Sequence, residues 1–582
     1  MNCNNYLFVF SQEGFLLESL GMEKKEDIYE INFKTYELTS IQSVSREMFE
    51  KGVIYFTKPF IYLTSDSFLD FIAMPTCSSE DLYYTVDVSS NLYISNDFFL
   101  ICKTIERLEL SRENLLKIVH KMTPNAGCTV FSNVRRLKPY ETYVFNGSDL
   151  VSKKHRFYHK NRDFSSDKNS FSYFKNALIS TLRHESYGLK KVGLLFSGGV
   201  DSTLIGLILT NVLNLEVVPI FINSIPTNTD FELDKIRAKE VANILKWSLE
   251  EVFADYTSLD AVALDKFIDQ IPLTPHLSLG FYEANKKFKE LGCEKVFCGQ
   301  NLDTLYNLES TARVGFSRGS LVALFRRFFY SNIFSDSFLD TIMAKKILKK
   351  MVQLISSIGV IFYSTIKKEK FLLPKSAFEA LLNYKNSIDD VLFTPASKGI
   401  DDILASDQRL EWNSLYYFLW KHKVQEYLMG GVNMAPHSMA KINGIKMCLP
   451  YGTEMMVNFF KNNRIMLKDI FFPKRYVYDF INELSPNITK IINKKNKINK
   501  GLLGVQDWFG CLDQNTKLGK TLETDNLFEL NIDKNITLAQ FFNHKLSIHW
   551  ITKVLNKIKK NKEKRIFNNE KNFSKIEGKA LD

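Results

Sequence analysis

The sequence predicts a mixed α/β fold, in which a β-rich N-terminal domain precedes a second domain built on a parallel sheet. Three observations support this prediction. Up to about residue 150, short aromatic and β-branched runs alternate with turn residues, which is typical of strands. From Lys191 to Cys298, apolar strands alternate with helical patterns, as in doubly wound sheets. A small-residue loop, Ser197-Gly198-Gly199, follows the first of those strands.

The N-terminal domain is expected to span residues 1–165, because the polar stretch around 150–175 has the composition of a connecting loop. Its predicted strands share aromatic and β-branched content and are Tyr6–Phe10, Ile31–Glu37, Val53–Leu63, Leu82–Val88 and Leu92–Ile94. A helix is predicted over Ser111–His120, with Ser111 as its N-cap.

The second domain is expected to span residues 166–510. Its predicted strands are Val192–Phe196, Leu215–Ile222, Leu249–Phe253 and Lys295–Cys298, and its predicted helices are Phe171–Arg183, Leu204–Leu213, Asp234–Leu245 and Phe281–Leu291. From Asp402 to Asn463 the pattern predicts helices alone. Parallel strands end at one edge of the sheet, so the loops after Phe196 and Cys298 are expected to meet there.

The loop after Phe196 has the composition of a phosphate site. Ser197, Gly198 and Gly199 allow backbone N–H groups to approach an anion, and Ser202 adds a hydroxyl at the start of a helix. No Gly-Lys-Ser/Thr closes the loop, so it is not of the Walker type. Asp201 is a hard oxygen ligand beside the phosphates and is suited to Mg²⁺.

The pattern Ser-Gly-Gly-x-Asp-Ser resembles the pyrophosphate loop (PP-loop) of ATP pyrophosphatases. Together with the order of the surrounding elements, it makes residues 1 to about 510 resemble class B asparagine synthetases, in which a glutaminase-type domain precedes an ATP-using synthetase domain. The second signature of that family reads Gly-Glu-Gly-x-Asp-Glu and stands here as Gly299-Gln300-Asn301-Leu302-Asp303-Thr304. The resemblance implies an Ntn-type sandwich followed by an α/β domain of the adenine nucleotide α-hydrolase kind with helical additions.

The resemblance also implies the cofactors and the reaction. ATP would bind, with Mg²⁺ held by Asp201 and Asp303. A carboxylate would attack the α-phosphorus to give an acyl-adenylate and pyrophosphate, and an amine would then displace AMP. The residues implied to contact ATP are Phe196, Ser197, Gly198, Gly199, Val200, Asp201, Ser202, Ile222 and Gly299. The catalytic lysine of the family falls in a lysine-rich segment where the spacing leaves three candidates: Lys495, Lys497 and Lys500.

Two departures from the family bear on the substrates. Gln300 replaces a glutamate that faces the incoming nucleophile, so we expect Gln300 to tune amide formation on substrates other than aspartate and ammonia. A glutaminase of this family needs Cys as its first mature residue, whereas this sequence opens Met1-Asn2-Cys3, so no glutaminase activity is expected. We therefore favour a specialised amide ligase of the β-lactam synthetase or macrolactam cyclase kind, acting on a small molecule or a precursor peptide, over a true asparagine synthase.

Charge and composition leave other function classes open. Residues from Lys461 to Asp582 contain 24 Lys and Arg against 13 Asp and Glu, which equals the whole net charge of +11. The basic, mostly helical extension over residues 511–582 could therefore meet an acidic partner protein. A tRNA-modifying ATP pyrophosphatase and a non-catalytic scaffold are alternatives, although nucleic acid is not the partner that we favour.

The cysteines and the apolar runs predict the cellular compartment of the protein. The eight cysteines are scattered with no CxxC pair, and no signal peptide is recognised, which together predict a cytoplasmic protein. The longest apolar run, Met351–Tyr363, is too short to cross a bilayer and contains polar residues, so no contact with a membrane is expected.

Overall fold

The computed structural model places both halves of the chain in regular structure. It describes residues 7–11, 14–18, 60–63, 69–74, 81–121, 124, 126–139, 141–153, 167–225, 229–255, 261–274, 279–302, 305, 431–462, 474–493 and 546–562. Several predictions of the sequence analysis lie outside these residues: the strand over Ile31–Glu37, Cys3, Asp303 and the three candidate lysines Lys495, Lys497 and Lys500.

The N-terminal half forms two antiparallel sheets with a shared core. The strands are β1 (Leu7–Ser11), β2 (Gly14–Glu18), β3 (Phe60–Leu63), β4 (Leu69–Ala73), β5 (Tyr83–Val86), β6 (Leu92–Ser95), β7 (Arg135–Arg136), β8 (Thr142–Phe145) and β9 (Leu150–Lys153). The sheet orders are β2-β1-β6-β5-β7 and β3-β4-β8-β9. Ile72 of one sheet and Leu92 of the other belong to the same buried cluster, so the sheets pack face to face.

Two helices cover the outer face of the first of these sheets. They are α1 (Phe98–Thr104) and α2 (Arg112–Lys121). The Asp97 carboxylate accepts hydrogen bonds from the first N–H groups of α1. Ser111 caps α2 as predicted, since its hydroxyl accepts from the N–H of Asn114 at 3.3 Å.

The second half is organised around a five-stranded parallel sheet, as the sequence predicts. Its strands are β10 (Lys191–Leu195), β11 (Glu216–Ile225), β12 (Glu250–Asp255), β13 (Lys295–Cys298) and β14 (Lys446–Cys448), in the order β12-β11-β10-β13-β14. All four pairings are parallel. The prediction of helices alone over 402–463 is wrong at β14, because three residues are too short to show a strand period.

Helices pack on both faces of this sheet. They are α3 (Asp167–Glu185), α4 (Val200–Leu207), α5 (Thr229–Leu245), α6 (Ala261–Gln270), α7 (Leu279–Glu290), α8 (Gly431–Ile442), α9 (Glu454–Asn462), α10 (Arg475–Leu484) and α11 (Pro486–Asn493). One face buries Phe297 of β13 against α3, α4, α9 and α10. The other face buries Val296 against Phe288 of α7 and Ala440 of α8.

The helix after the glycine loop begins four residues earlier than predicted. It starts at Val200, so that Asp201 and Ser202 lie in its first turn, and it continues as a π-helical turn over Ile208–Val212. Its first-turn N–H groups therefore point toward the strand edge where the loop lies.

A C-terminal helix, α12 (residues 546–562), joins the two halves. Trp550 is fully buried and donates from its indole N–H to the carbonyl of Ile271 at 3.0 Å. Its buried cluster includes Phe98 of α1 and Ala435 of α8. This part of the predicted basic extension is thus built into the core.

No helix in the part of the chain that the structure describes is both long enough and apolar enough to span a bilayer.

Candidate functional site

The two predicted loops meet at the carboxyl edge of the parallel sheet. β10 and β13 are hydrogen-bonded neighbours, so the chain leaves the sheet side by side after Leu195 and Cys298. A Cβ atom on Gly299 would lie 2.8 Å from the backbone nitrogen of Ser202 and 3.2 Å from the carbonyl carbon of Asp201. Only glycine fits here, and its absent side chain lets the second loop touch the first turn of α4.

Gly198 is the second position where the backbone approach requires glycine. Its φ of +69° lies in the left-handed region, and a Cβ there would stand 2.6 Å from the backbone nitrogen of Ala238 on α5. The loop is therefore held tightly between α4 and α5. We call the N-terminal end of α4 beside this loop, where unpaired N–H groups favour a phosphate, the glycine recess.

Two hydroxyls stand at the mouth of the recess. The Oγ atoms of Ser197 and Ser202 are 3.3 Å apart. The Ser197 Oγ accepts a hydrogen bond from the N–H of Gly199, and the Ser202 Oγ donates to the carbonyl of Gly199, both at 3.3 Å. The hydroxyls and the N–H groups of the first turn form a concentrated set of donors for an anion.

Asp201 is tied to two residues that the sequence analysis did not identify. Lys474, at the start of α10, donates from Nζ to the Asp201 carboxylate at 2.7 Å, and this pair is mostly buried. The hydroxyl of the fully buried Tyr451 donates to the Asp201 carbonyl at 3.0 Å. A cation therefore lies beside the glycine loop, contributed by a residue more than 270 positions away in sequence.

The loop after β13 is anchored from α8. Asn301 has a φ of +82°, and its buried side-chain amide donates to Asn433 Oδ1 at 3.0 Å. The neighbouring Gln300 has a buried Oε1 atom that accepts no hydrogen bond from the residues that the structure describes. Gln300 thus has unused acceptor capacity beside the glycine loop.

Three other residues predicted to contact ATP have side chains that pack in the protein core. The side chain of Phe196 is buried and packs edge-on against Trp247, and Val200 packs against the same core. Ile222 lies within β11, and its Cγ2 is 2.5 Å from the place of a Cβ on Gly280, so its side chain packs on α7.

The thiol at the end of β13, just before the second loop, is uncharged. Burial raises the pKa of the Cys298 thiol to about 12, so that this thiol stays protonated. Cations lie instead on the helices, at Lys474 and at Arg237, whose burial on α5 lowers its guanidinium pKa. Arg237 immediately precedes Ala238, the residue that packs against Gly198. Its guanidinium forms an ion pair with Asp234.

The residues at this edge fit a triphosphate chain. Close packing at Gly198 and Gly299 holds both loops at the first turn of α4, and hydroxyls, N–H groups and Lys474 supply donors and positive charge. For Mg²⁺, Asp201 offers the carboxylate that the metal prefers. Among the residues that the structure describes, no group of three His, Cys, Asp or Glu side chains forms a metal site, and Asp303 lies outside them.

Comparisons with known proteins do not show a family. No protein-family model matches the sequence, and no curated protein matches it. Among solved structures, a U34-tRNA thiolase, NcsA, from Methanococcus maripaludis, which carries a [4Fe-4S] cluster, aligns over 40% of this chain and 85% of its own. The identity is 12% and the TM-score is 0.18, too low to establish a common fold.

Proposed function

We propose that the protein is an ATP-dependent amide ligase of the asparagine synthetase kind, which adenylates a carboxylate and transfers it to an amine. One observation carries the proposal: close packing at Gly198 and Gly299 brings the two loops together at the first turn of α4, and Lys474 adds positive charge beside Asp201. The proposal does not include glutamine hydrolysis.

In the first half-reaction the loop would hold the β- and γ-phosphates of ATP. N–H groups of the Ser197–Ser202 loop and the Lys474 ammonium would stabilise the negative charge that develops on the departing pyrophosphate. A carboxylate oxygen would attack the α-phosphorus, and the bond from phosphorus to the bridging oxygen would break. Asp201 and Asp303 would hold Mg²⁺, which neutralises phosphate charge when bound.

In the second half-reaction an amine would attack the activated carbonyl, and AMP would leave. Gln300 is placed beside the first turn of α4 by Gly299, and its Oε1 atom can accept a hydrogen bond from the amine. We assign the stabilisation of the tetrahedral intermediate to one of Lys495, Lys497 and Lys500. We propose a biosynthetic specialist, such as a macrolactam cyclase, ahead of an asparagine synthase.

ATP–pyrophosphate exchange tests the proposal. The wild-type protein is incubated with ATP, Mg²⁺, labelled pyrophosphate and pools of the twenty amino acids and of short acidic peptides. We expect exchange with at least one pool, AMP as the nucleotide product, and at least a 100-fold loss in Asp201→Asn, in line with the loss of one transition-state contact.

The matched control is Asp255→Asn, which removes a carboxylate at the end of β12, two strands away from β10. Its exchange should stay within twofold of wild type. Release of ADP in place of AMP, or no exchange with any pool, would contradict the proposed chemistry.

A further inference from the structure

One face of α8 lies against the loop that carries Gln300. Asn433, His437 and Ala440 are spaced i, i+4 and i+7, so they share a side of the helix. Asn433 is hydrogen-bonded to Asn301, and Ala440 packs in the buried cluster that contains Cys298, at the end of β13. His437 lies on the same side of α8, one helical turn after the Asn433 that bonds the loop.

His437 has a nitrogen without a hydrogen-bond partner. The residue is only 7% exposed, and its Nε2 atom is buried with no partner among the residues that the structure describes. Gln300 Oε1, on the loop that Asn433 anchors, is in the same condition. A buried polar atom without a partner costs about 1–3 kcal/mol, so a polar ligand that bonded either atom would remove that cost.

The imidazole is held neutral. Burial alone lowers the pKa of His437 to about 4, with no charged group contributing. Burial also keeps the Cys298 thiol, at the end of β13, protonated. At neutral pH the ring is therefore uncharged and has a free lone pair.

We propose that His437 is the base that accepts a proton from the amine during amide formation, while Gln300 orients that amine. The inference rests on the proposed function. A glutamine side chain can accept an N–H hydrogen bond but cannot take the proton, so an amine held by Gln300 needs another base. His437 lies on the helix that anchors the Gln300 loop.

The step balances as follows. The neutral amine nitrogen attacks the acyl carbon and forms the C–N bond, while Gln300 Oε1 holds one N–H. His437 Nε2 takes another N–H proton from the positively charged nitrogen of the adduct. The bond between the acyl carbon and the phosphate oxygen breaks, AMP leaves with the electron pair, and His437 then releases its proton to water.

Separate assays of the two half-reactions test this assignment. His437→Gln is measured in pyrophosphate exchange with the carboxylate pool that supports exchange in the wild type. It is then measured in amide formation from ammonia and in hydroxamate formation from hydroxylamine. Exchange should stay within about twofold, because the base acts later. Amide formation should fall by about 10²- to 10⁴-fold, the usual contribution of a general base.

Hydroxylamine and imidazole distinguish a base from a structural residue. The hydroxylamine adduct loses its proton readily to water, so hydroxamate formation should fall at least tenfold less than amide formation. Imidazole added to His437→Ala should restore part of the ammonia reaction. His549→Gln is the matched control, since His549 is buried on α12 and should leave the ratio of the two products unchanged.

The outcomes separate the two proposals. If the wild type shows no exchange, the proposed function fails and the role of His437 fails with it. If exchange persists in His437→Gln while the ammonia and hydroxylamine products fall equally, the ligase stands and the base assignment is overturned. If all three activities fall together, His437 maintains the loop through Asn433 and Asn301, and the assignment is overturned as well.

Discussion

Gly198 shows how a single residue can determine whether a site exists. Its left-handed φ would strain any side chain, and the nearby backbone nitrogen of Ala238 leaves no space for one. Gly188 has a similar φ of +77°, but nothing lies within 4 Å of its would-be Cβ. A side chain at Gly188 would introduce backbone strain alone. A side chain at Gly198 would introduce the same strain and would also displace α5 from the glycine loop.

We predict that Gly198→Ala abolishes pyrophosphate exchange, whereas Gly188→Ala retains it. Both variants should lose about 1 kcal/mol of unfolding free energy from strain at positive φ. Gly198→Ala should lose at least 1 kcal/mol more, because α5 must move. Urea unfolding and exchange assays measure both effects. Equal exchange in the two variants would contradict the role assigned to the recess.

Lys474 is a site residue that the sequence motifs did not predict. It lies outside every motif used in the sequence analysis, and its contact with Asp201 depends on the docking of α10 against α4. The run Pro473-Lys474-Arg475 is only a weak sequence signal for the start of a helix. The glycines and Asp201 could be predicted because they are contiguous, whereas Lys474 required the tertiary fold.

We predict that Lys474→Met lowers exchange by about 10²- to 10³-fold, as the loss of one charge-stabilising donor does. The reason is that the Lys474 ammonium lies 2.7 Å from the Asp201 carboxylate, beside the loop. Lys474→Arg should recover part of the rate. The control is Lys175→Met, which removes a lysine paired with Glu483 on the outer side of α10. Exchange in Lys474→Met within threefold of wild type would refute this role.

At the scale of elements, a polar network fastens α5 to the edge strand β12. Glu251 of β12 accepts from Lys235 at 2.7 Å and from Lys239 at 2.9 Å, and the amide of Asn223 donates to it at 2.9 Å. Burial alone would raise the Glu251 pKa, but these three donors outweigh it and lower the pKa to about 2. Because α5 also carries Ala238, the network helps to hold the wall of the recess.

We predict that Glu251→Gln removes up to about 3 kcal/mol of unfolding free energy at pH 7. The folded pKa lies below the ordinary value of 4.5, so this contribution is complete above pH 4.5 and is lost as the pH falls toward 2. Urea unfolding of wild type and variant should therefore converge on acidification. Glu216→Gln is the control, because Glu216 is 65% exposed beside Lys191 and should change stability by less than about 0.5 kcal/mol.

The elements were predicted well where the chain has strong periodicity. β13 was predicted with its observed bounds, and β10, β11 and β12 within three residues, because apolar runs between turn residues identify buried strands. β14 was missed because its three residues are too few to show the alternation of a strand. Short elements of this kind are defined by their neighbours, and Met447 pairs with Val296 only once the sheet exists.

For the whole molecule, α12 is the connection that the sequence did not predict. Its lysines were interpreted as a surface for an acidic partner, yet Lys553 pairs with Asp265 at 3.4 Å and Lys557 pairs with Asp269, both on α6. A partner protein at the remaining basic residues stays a prediction. The helix buries its apolar face between α1 and α8, so it couples the N-terminal sheets to the parallel sheet.

We predict that Trp550→Ala loosens both halves of the molecule together. Removing this buried side chain should cost about 3–5 kcal/mol, and Trp550→Phe, which loses the bond to Ile271 but keeps most of the packing, about 1 kcal/mol. Because the cavity borders α1, α6 and α8, amide hydrogen exchange should accelerate in all three. Lys559→Ala, on the exposed side of α12, is the control and should leave the amide hydrogen exchange rates unchanged. Faster exchange confined to α12 itself would show that the helix only covers the core, and that the two halves are stable without it.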